Sequence, residues 1–347
     1  GNDKVGIGLW AGRLDTTSLR SVYIGREAGY NNQESDIIAI GYHALRSNSL
    51  GAPAGAASNN LAIGTLSLYQ NTSGLNNTAI GRNTLASNST SSFNTAVGAF
   101  TLAASTGANN TAIGASTMTA ALTGSNNVSV GVNTQNSATG ADNNVAAGVQ
   151  ALYSNSNGDN NVAIGHQALY YNSSSGNTAL GYLAGDGNTS GSNNTLVGNN
   201  ADVFSTALTN ATAIGANAIV AQSNSLVLGA AGTNIGIGTT TPGARLDVNG
   251  NFSLGTNGTV LTEVIKTSIA LDLPSIPAND TYIHSFTVTN AATGSTVMIS
   301  PLGALLNGIV VAYARVSAAN TVEVKFTNTT AGALNPAANT FYITVIR

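Results

Sequence analysis

Pairs of an aliphatic residue and a glycine recur about every 17 residues through the first two thirds of the chain. Two positions before each glycine the residue is usually Thr, Val, Leu or Ile, as with Thr78 and Ile80 before Gly81. This period of two predicts a short β-strand that ends at the glycine. The glycines of the pattern are Gly8, Gly25, Gly41, Gly64, Gly81, Gly98, Gly114, Gly131, Gly148, Gly165, Gly181, Gly198, Gly215, Gly229 and Gly238.

Many repeat units have a second apolar residue four places after the glycine, among them Leu68, Leu85, Leu102, Met118, Leu152 and Leu169. The remainder of the unit is rich in Asn, Ser and Thr, which are typical of loops. A unit of this size cannot bury its own apolar residues, whereas stacked units bury them and pair their strands. The pattern therefore predicts a parallel β-solenoid or β-roll with one coil per unit.

The alternation along each strand also predicts which side chains face the core. We expect the aliphatic residue before the glycine, such as Ile164, to lie between coils, and the Ala before it to face a neighbouring layer or subunit. Ile164→Asp is then severely destabilising, while Asn172→Asp in a polar loop is nearly silent. The Asn four places before each glycine, such as Asn77 and Asn94, is expected to form a side-chain ladder that fixes the register.

Residues 76–81, 109–114 and 160–165 read Asn-Asn, then Thr or Val, then Ala-Ile-Gly. These units resemble the head repeats of trimeric autotransporter adhesins, and similar repeats occur in bacteriophage tail fibres. The resemblance covers about residues 5–238 and implies a left-handed parallel β-roll with three chains around one axis. The adhesin units are shorter, and this sequence has no counterpart of the adhesins' coiled-coil stalk and membrane anchor. Small residues beside an apolar stripe likewise favour a homotrimer.

The repeat pattern stops after Gly238, where Pro242 and Gly243 mark a junction. The run 234–250 resembles a segment found near the ends of phage tail fibres and tailspikes. We therefore divide the chain into a repeat shaft at 1–238, a junction at 239–261 and a C-terminal tip domain at 262–347.

The tip domain has longer alternating segments separated by Pro, Asn and Gly. Six strands at this spacing predict an antiparallel β-sandwich of jelly-roll type, so the whole chain is expected to be all-β. Its end resembles a small β domain of phage structural proteins. The predicted strands are 264–270, 282–289, 295–300, 309–317, 321–327 and 340–346.

Alternation within these strands predicts an inner and an outer face. Val322, Val324 and Phe326 are expected inside, as are Phe341, Ile343 and Val345. On strand 309–317, Val310, Ala312, Ala314 and Val316 are expected to share one face. An aromatic ring beside an arginine suits a sugar ring and its hydroxyl or carboxylate groups, although such residues also solubilise a surface or contact another subunit. The candidate receptor-binding residues on the other face are Tyr313 and Arg315, with Glu323, Lys325 and Tyr342 nearby.

Composition narrows the functional classes. Only 7% of the 347 residues are charged and the formal net charge is -3, so the chain lacks the basic field that nucleic acid requires. It has no cysteine, which excludes disulfides and thiolate chemistry and fits an extracellular or virion surface. No apolar run approaches the roughly 20 residues that span a bilayer.

Two pairs of residues are candidates for chemistry because each pair shares a register on adjacent coils. Asp142 and Asp159 should stack about 5 Å apart, a separation found in retaining glycosidases; a backbone cap is favoured over catalysis or calcium binding. Tyr153 and Tyr170 could form a platform for a sugar, although packing between coils is favoured.

The three histidines of the chain do not indicate a site. His43, His166 and His284 have no triad or metal-ligand spacing, so no cofactor or metal is expected.

These observations favour a non-enzymatic homotrimeric fibre whose C-terminal tip binds a cell-surface glycan or protein. A phage tail fibre in the virion is the leading hypothesis. A cellular surface adhesin or extracellular filament component is the alternative within the binding class. A polysaccharide depolymerase is the alternative within the enzyme class.

Overall fold

The computed structural model describes residues 3–51, 53, 55–120, 122–250, 252–253 and 260–347; residues 251 and 254–259 of the predicted junction therefore lie outside the described part. The described chain is all-β and contains no helix. It divides into two compact units, Gly1–Thr233 and Asn234–Arg347. The strands of the first unit are β1 Lys4–Ile7, β2 Ser21–Ile24, β3 Ile38–Ile40, β4 Leu61–Ile63, β5 Thr78–Ile80, β6 Thr95–Val97, β7 Thr111–Ile113, β8 Val128–Val130, β9 Val145–Ala147, β10 Val162–Ile164, β11 Thr178–Leu180, β12 Thr195–Val197, β13 Asp202–Val203, β14 Thr212–Ile214, β15 Ile219–Val220 and β16 Leu226–Leu228.

The first unit is a parallel β-solenoid, which confirms the predicted fold. Its main sheet has 14 strands in the order β1 to β12, then β14 and β16, while β13 and β15 form a separate parallel pair. Each strand pairs with the equivalent strand of the next coil, so that Ala163 lies beside Ala146 on one side and Ala179 on the other. The sequence repeat is therefore the coil repeat.

In the three-residue strands of the main sheet, β3 to β12, β14 and β16, the middle residue faces the interior. Ala146, Ala163 and Ala179 have no solvent exposure and pack in one core cluster with Leu152 and Leu169. The second apolar position of the repeat therefore reaches the core as predicted. The small residue faces a layer of its own chain and not another subunit.

The prediction for Ile164 is wrong, because its side chain points out of the coil and is 41% exposed. We call the glycines of the repeat pattern the corner glycines. The Leu side chains that follow them fill the narrow interior, so the strand itself contributes only the small middle residue. Where the middle residue is the larger Leu196, a glycine on the neighbouring segment leaves room for its side chain. A Cβ on Gly185 would lie 2.9 Å from Cδ1 of the inward-facing Leu196 and 2.8 Å from Cδ2 of Leu169.

The predicted asparagine ladder is present and is bonded to the backbone. Asn144 is fully buried, and its Oδ1 accepts a hydrogen bond from the backbone N–H of Asn161 at 2.8 Å. Its Nδ2 donates to the carbonyl of Gly158 on the next coil at 2.9 Å. Since buried polar groups need partners, this arrangement fixes the register between coils.

A second set of buried asparagines corrects the prediction for Asn172. Asn172 has no solvent exposure, donates to the carbonyl of Ser174 at 2.7 Å and accepts from Asn177 Nδ2 at 3.0 Å. It closes a turn inside the coil, so Asn172→Asp would bury a charge and remove a donor. Within the protomer we therefore expect Asn172→Asp to be the more destabilising substitution and Ile164→Asp the milder one, which is the reverse of the sequence-based prediction.

The second unit begins with two small strand pairs. One is parallel and joins Ile235–Ile237 to Leu246–Val248, so Gly238 follows a strand of this unit. The other is antiparallel. The strands of the unit are β17 Ile235–Ile237, β18 Leu246–Val248, β19 Phe252–Ser253, β20 Val260–Leu261, β21 Val264–Leu271, β22 Thr281–Thr287, β23 Thr296–Pro301, β24 Ile309–Ala318, β25 Thr321–Asn328 and β26 Asn339–Ile346.

The last six strands form two three-stranded antiparallel sheets, β21-β26-β23 and β22-β25-β24. The first strand pairs with the sixth and the second with the fifth, which is the nested order of a jelly roll. The two sheets share one core, where the Phe341 ring lies 5.3 Å from that of Phe326 and 6.1 Å from that of Phe286. The inward positions predicted on β25 and β26 are confirmed.

Strand β24 departs from the predicted alternation. Its pairing with β25 shifts between Val311 and Tyr313, so Ala312 is the extra residue of a β-bulge. Before the bulge Val311 packs against the core and Val310 is exposed; after it, Ala314 and Val316 face inward. The prediction that Val310 and Ala312 share a face with Ala314 and Val316 is therefore wrong. The extra residue of the bulge reverses the alternation of inward and outward side chains along β24.

Candidate functional site

The solenoid carries a continuous, uncharged and largely aliphatic surface on the outer face of its main sheet. Two side chains of each strand point outward, and in the column next to the corner glycines every residue is aliphatic. Ile164 and Leu180 in this column are 41% and 47% exposed. We call the two columns the aliphatic ribbon: Val5, Val22, Ile38, Leu61, Thr78, Thr95, Thr111, Val128, Val145, Val162, Thr178, Thr195, Thr212 and Leu226, with Ile7, Ile24, Ile40, Ile63, Ile80, Val97, Ile113, Val130, Ala147, Ile164, Leu180, Val197, Ile214 and Leu228.

The aliphatic ribbon contains no charged residue. Fourteen strands at about 4.8 Å spacing make it roughly 60 Å long, and two columns make it about 10 Å wide. The resulting area of roughly 600 Å² includes six Thr side chains, so its apolar part lies within the range of roughly 300–600 Å² found for the largest, often functional, patches on soluble monomers. Such a patch indicates an interaction surface.

The C-terminal unit brings four of the five candidate receptor residues together on the outer face of the sheet β22-β25-β24. Tyr313 pairs with Lys325, and Arg315 pairs with Glu323 across the strands. The Tyr313 hydroxyl donates to Glu323 Oε1 at 2.8 Å, and Arg315 Nε donates to the same oxygen at 3.0 Å. The hydrogen bond from Tyr313 and the nearby Arg315 hold the pKa of Glu323 below its usual value, while the pKa of Tyr313 is raised by its bond to Glu323.

Tyr342, the fifth candidate, lies elsewhere. It belongs to β26 and points outward from the opposite sheet, where it pairs with Ser268 and Ser300. The prediction that it lies near Tyr313 is wrong, because β26 pairs with the first and third strands of the sandwich and not with β24. One flat ligand on the β24 side cannot include it.

Asp142 and Asp159 act as backbone caps. Asp142 Oδ1 accepts from the backbone N–H of Ser125 at 2.6 Å, and Asp159 Oδ1 accepts from the N–H of Asp142 at 2.8 Å. Each carboxylate therefore joins its own coil to the preceding one. This geometry is the capping role that the sequence favours.

Aromatic residues cluster on the segments that follow the corner glycines. Tyr153 and Tyr170 stack with their ring centroids 5.0 Å apart and an interplanar angle of 5°. The rings therefore pack between coils, as the favoured interpretation predicts. Their faces cover each other, so a sugar would have to contact neighbouring rings.

A second aromatic cluster near the N-terminus was not predicted. The Arg13 guanidinium lies 5.0 Å from the Trp10 ring and 5.8 Å from the Tyr30 ring, and Arg46 lies 5.3 Å from Tyr30. The sequence does carry a signal for it, since Arg13, Tyr30, Arg46 and Tyr69 all stand five places after a repeat glycine. Cation–π contacts of this kind stabilise adjacent coils.

The three histidines remain separate from one another. His166 stacks on Tyr182, and His284 packs edge-on against Phe286 in the sandwich core. His43 stacks on Tyr42 and lies 3.3 Å from Glu27. Within the described residues no group of His, Cys, Asp and Glu is arranged to hold a metal ion, and no helix there could cross a membrane.

Comparison with known proteins yields no relative. No protein-family model, curated protein or solved structure matches the chain.

Proposed function

We propose that the protein is the subunit of a homotrimeric attachment fibre, in which the solenoid is the shaft and the C-terminal unit contacts a cell-surface receptor. The observation that carries this proposal is the aliphatic ribbon. An uncharged apolar surface that runs the length of the 14-stranded sheet favours association of copies of this chain side by side. Each strand of the sheet then contributes equivalent contacts to the interface.

The number of chains comes from the resemblance of the repeat units to trimeric adhesin heads and tail-fibre repeats. A closed three-fold arrangement around an axis parallel to the stack buries the ribbon of every protomer and leaves the polar loops in solvent. A phage tail fibre remains the leading identity and a cellular surface adhesin the alternative. The bonds that Asp142 and Asp159 make to the backbone support a fibre over a depolymerase.

Substitution of aspartate into the aliphatic ribbon tests whether the ribbon forms the interface between protomers. We expect the double variant Ile113→Asp/Ile164→Asp to dissociate the trimer, because burying two carboxylates per protomer without partners costs several kcal/mol. Thr106→Asp, in an exposed loop of the coil before Ile113, is the matched control and should leave the mass unchanged. Sedimentation equilibrium measures both. A double variant with the mass of the wild-type assembly would remove the ribbon from the interface.

Receptor contact is assigned to the outer face that carries Tyr313, Arg315, Glu323 and Lys325. Arg315 keeps further N–H groups beyond Nε and Nη2, which both lie 3.0 Å from Glu323 Oε1, and the Tyr313 ring is partly exposed. We expect Tyr313→Ala/Arg315→Ala in the full chain to reduce adhesion to host cells at least tenfold. Tyr342→Ala, on the opposite sheet, should leave it within about twofold. Equal adhesion by the first variant and the wild type would move the receptor site away from this face.

A further inference from the structure

Five aromatic side chains lie on three consecutive coils of the solenoid, in two contacting groups: Tyr153, Tyr170 and Tyr171 form one, and His166 and Tyr182 form the other. They follow the corner glycines Gly148, Gly165 and Gly181, so they stand on a different segment of each coil from the aliphatic ribbon, which precedes those glycines. Their three coils span about 10 Å along the stack, enough for a short chain of sugars. We call this group the tyrosine patch: Tyr153, His166, Tyr170, Tyr171 and Tyr182.

The tyrosine patch is a local feature of the solenoid. The positions of Tyr153 and Tyr170, five places after a corner glycine, hold Ala86, Ala103 and Thr119 on the coils that follow Gly81, Gly98 and Gly114, which separate this patch from Tyr30 and Tyr69 near the N-terminus. Those coils have the same strands and the same buried asparagines without any aromatic residue there. Coil formation therefore does not require the patch.

Two rings of the patch remain open to solvent. Tyr170 packs edge-on against Tyr171 at 4.5 Å and 75°, and His166 stacks on Tyr182 at 5.3 Å. Tyr171 and Tyr182 are nevertheless 54% and 50% exposed. Held in place by their neighbours, they offer apolar surface and hydroxyl groups with little further loss of side-chain freedom on binding.

The patch also contains an acceptor without a donor. Asp186 occupies the next coil in the column of Tyr153 and Tyr170, and its charge acts on Tyr170. Partial burial raises the pKa of Asp186, and in the described part of the chain no hydrogen bond or cation offsets that burial. A hydroxyl donor from a ligand would satisfy this carboxylate.

The charge around the patch selects the class of ligand. Between Arg82 and Arg245 the sequence has no Lys or Arg and four Asp residues. An anionic polymer would meet only negative charge there, whereas a neutral polyol meets exposed rings and a hydrogen-bond acceptor.

We infer that the tyrosine patch is a second binding site, which takes a neutral glycan along the side of the shaft. Tyr171 and Tyr182 contact the apolar faces of the sugar rings, and Asp186 accepts a hydrogen bond from a sugar hydroxyl. Gln167, which donates to Gln150 Oε1 at 2.9 Å on the same segments, supplies further polar groups at the edge of the patch. This site is independent of the receptor contact at the C-terminal unit.

The test is binding of the full chain to an immobilised glucan, galactan and mannan, with polygalacturonate as the acidic counterpart. We expect binding to at least one neutral polymer and none to polygalacturonate. Tyr171→Ala/Tyr182→Ala should weaken that binding at least tenfold, and Asp186→Asn several-fold. Tyr42→Ala is the matched control, because Tyr42 is an exposed tyrosine that also follows its corner glycine directly and lies on a distant coil.

Three outcomes would overturn the inference: no neutral polymer binds, the tyrosine variant binds as the wild type does, or the tyrosine variant sediments as a monomer. The last would make the patch a contact between subunits. Tyr313→Ala/Arg315→Ala should keep full binding to the neutral polymer. Its loss of binding would place the neutral-glycan site on the C-terminal unit instead, while failure of the shaft site alone leaves the fibre proposal unaffected.

Discussion

Ala163→Asp is expected to prevent the solenoid from folding, whereas Ile164→Asp, one residue further along the same strand, leaves the coils folded and separates the protomers. Ala163 has no solvent exposure and lies between Ala146 and Ala179 of the adjacent coils. A carboxylate there has neither water nor a partner, which costs about 4 kcal/mol or more. Ile164 points outward, so an Asp in its place is solvated in a single protomer and buried only in the assembly.

Far-ultraviolet circular dichroism and sedimentation separate these two effects. We expect Ala163→Asp to lose the β signal at 25 °C and Ile164→Asp to keep it at a reduced molecular mass. Wild-type melting of the Ala163 variant, or equal loss of the β signal in both variants, would mean that the inward and outward faces have been assigned incorrectly.

Gly131→Ala should be almost as damaging, although it adds a single methyl group. Gly131 has a φ of 140°, and a Cβ there would lie 2.5 Å from the carbonyl oxygen of Gly148 on the next coil. That carbonyl accepts a hydrogen bond from Thr134 at 2.8 Å, so it cannot turn away without breaking the bond. Backbone strain and the clash together should lower the free energy of unfolding by at least about 3 kcal/mol.

Gly140→Ala is the control for this substitution. Gly140 has no left-handed conformation, and the atom nearest to its added Cβ is the side-chain oxygen of the exposed Asn157, at 3.2 Å. Since that side chain can move, we expect a change within about 0.5 kcal/mol. Thermal unfolding of the two variants gives the comparison, and similar midpoints would contradict the role assigned to the corner glycines.

Much of this fold could be predicted from the sequence, because a repeat with one glycine per coil fixes both the strand positions and their stacking. The period of two also shows that each strand has two faces, but it does not show which face is inside. Large aliphatic residues usually face a core, so the sequence pattern predicts that Ile164 faces inward. The structure instead fills the coil with Leu152 and Leu169 and leaves room for only Ala163 from the strand.

In the C-terminal unit, too, the sequence predicts the strands but not every side-chain orientation. Six alternating segments were enough to predict the sandwich and the inward side chains of β25. The bulge at Ala312 has no sequence signature, since Ala is compatible with any strand position, and it changes the phase of β24. The position of Tyr342 depends on which strands pair, which the spacing of the segments does not determine.

Sedimentation equilibrium of the wild-type chain at micromolar concentration tests the central claim, that the aliphatic ribbon joins copies of this chain into a trimer. We expect a single species of three times the 34.6 kDa protomer mass. We also expect this species to dissociate in the Ile113→Asp/Ile164→Asp variant and to persist in Thr106→Asp. A stable wild-type monomer with the β signal of the folded solenoid would contradict the proposed trimer.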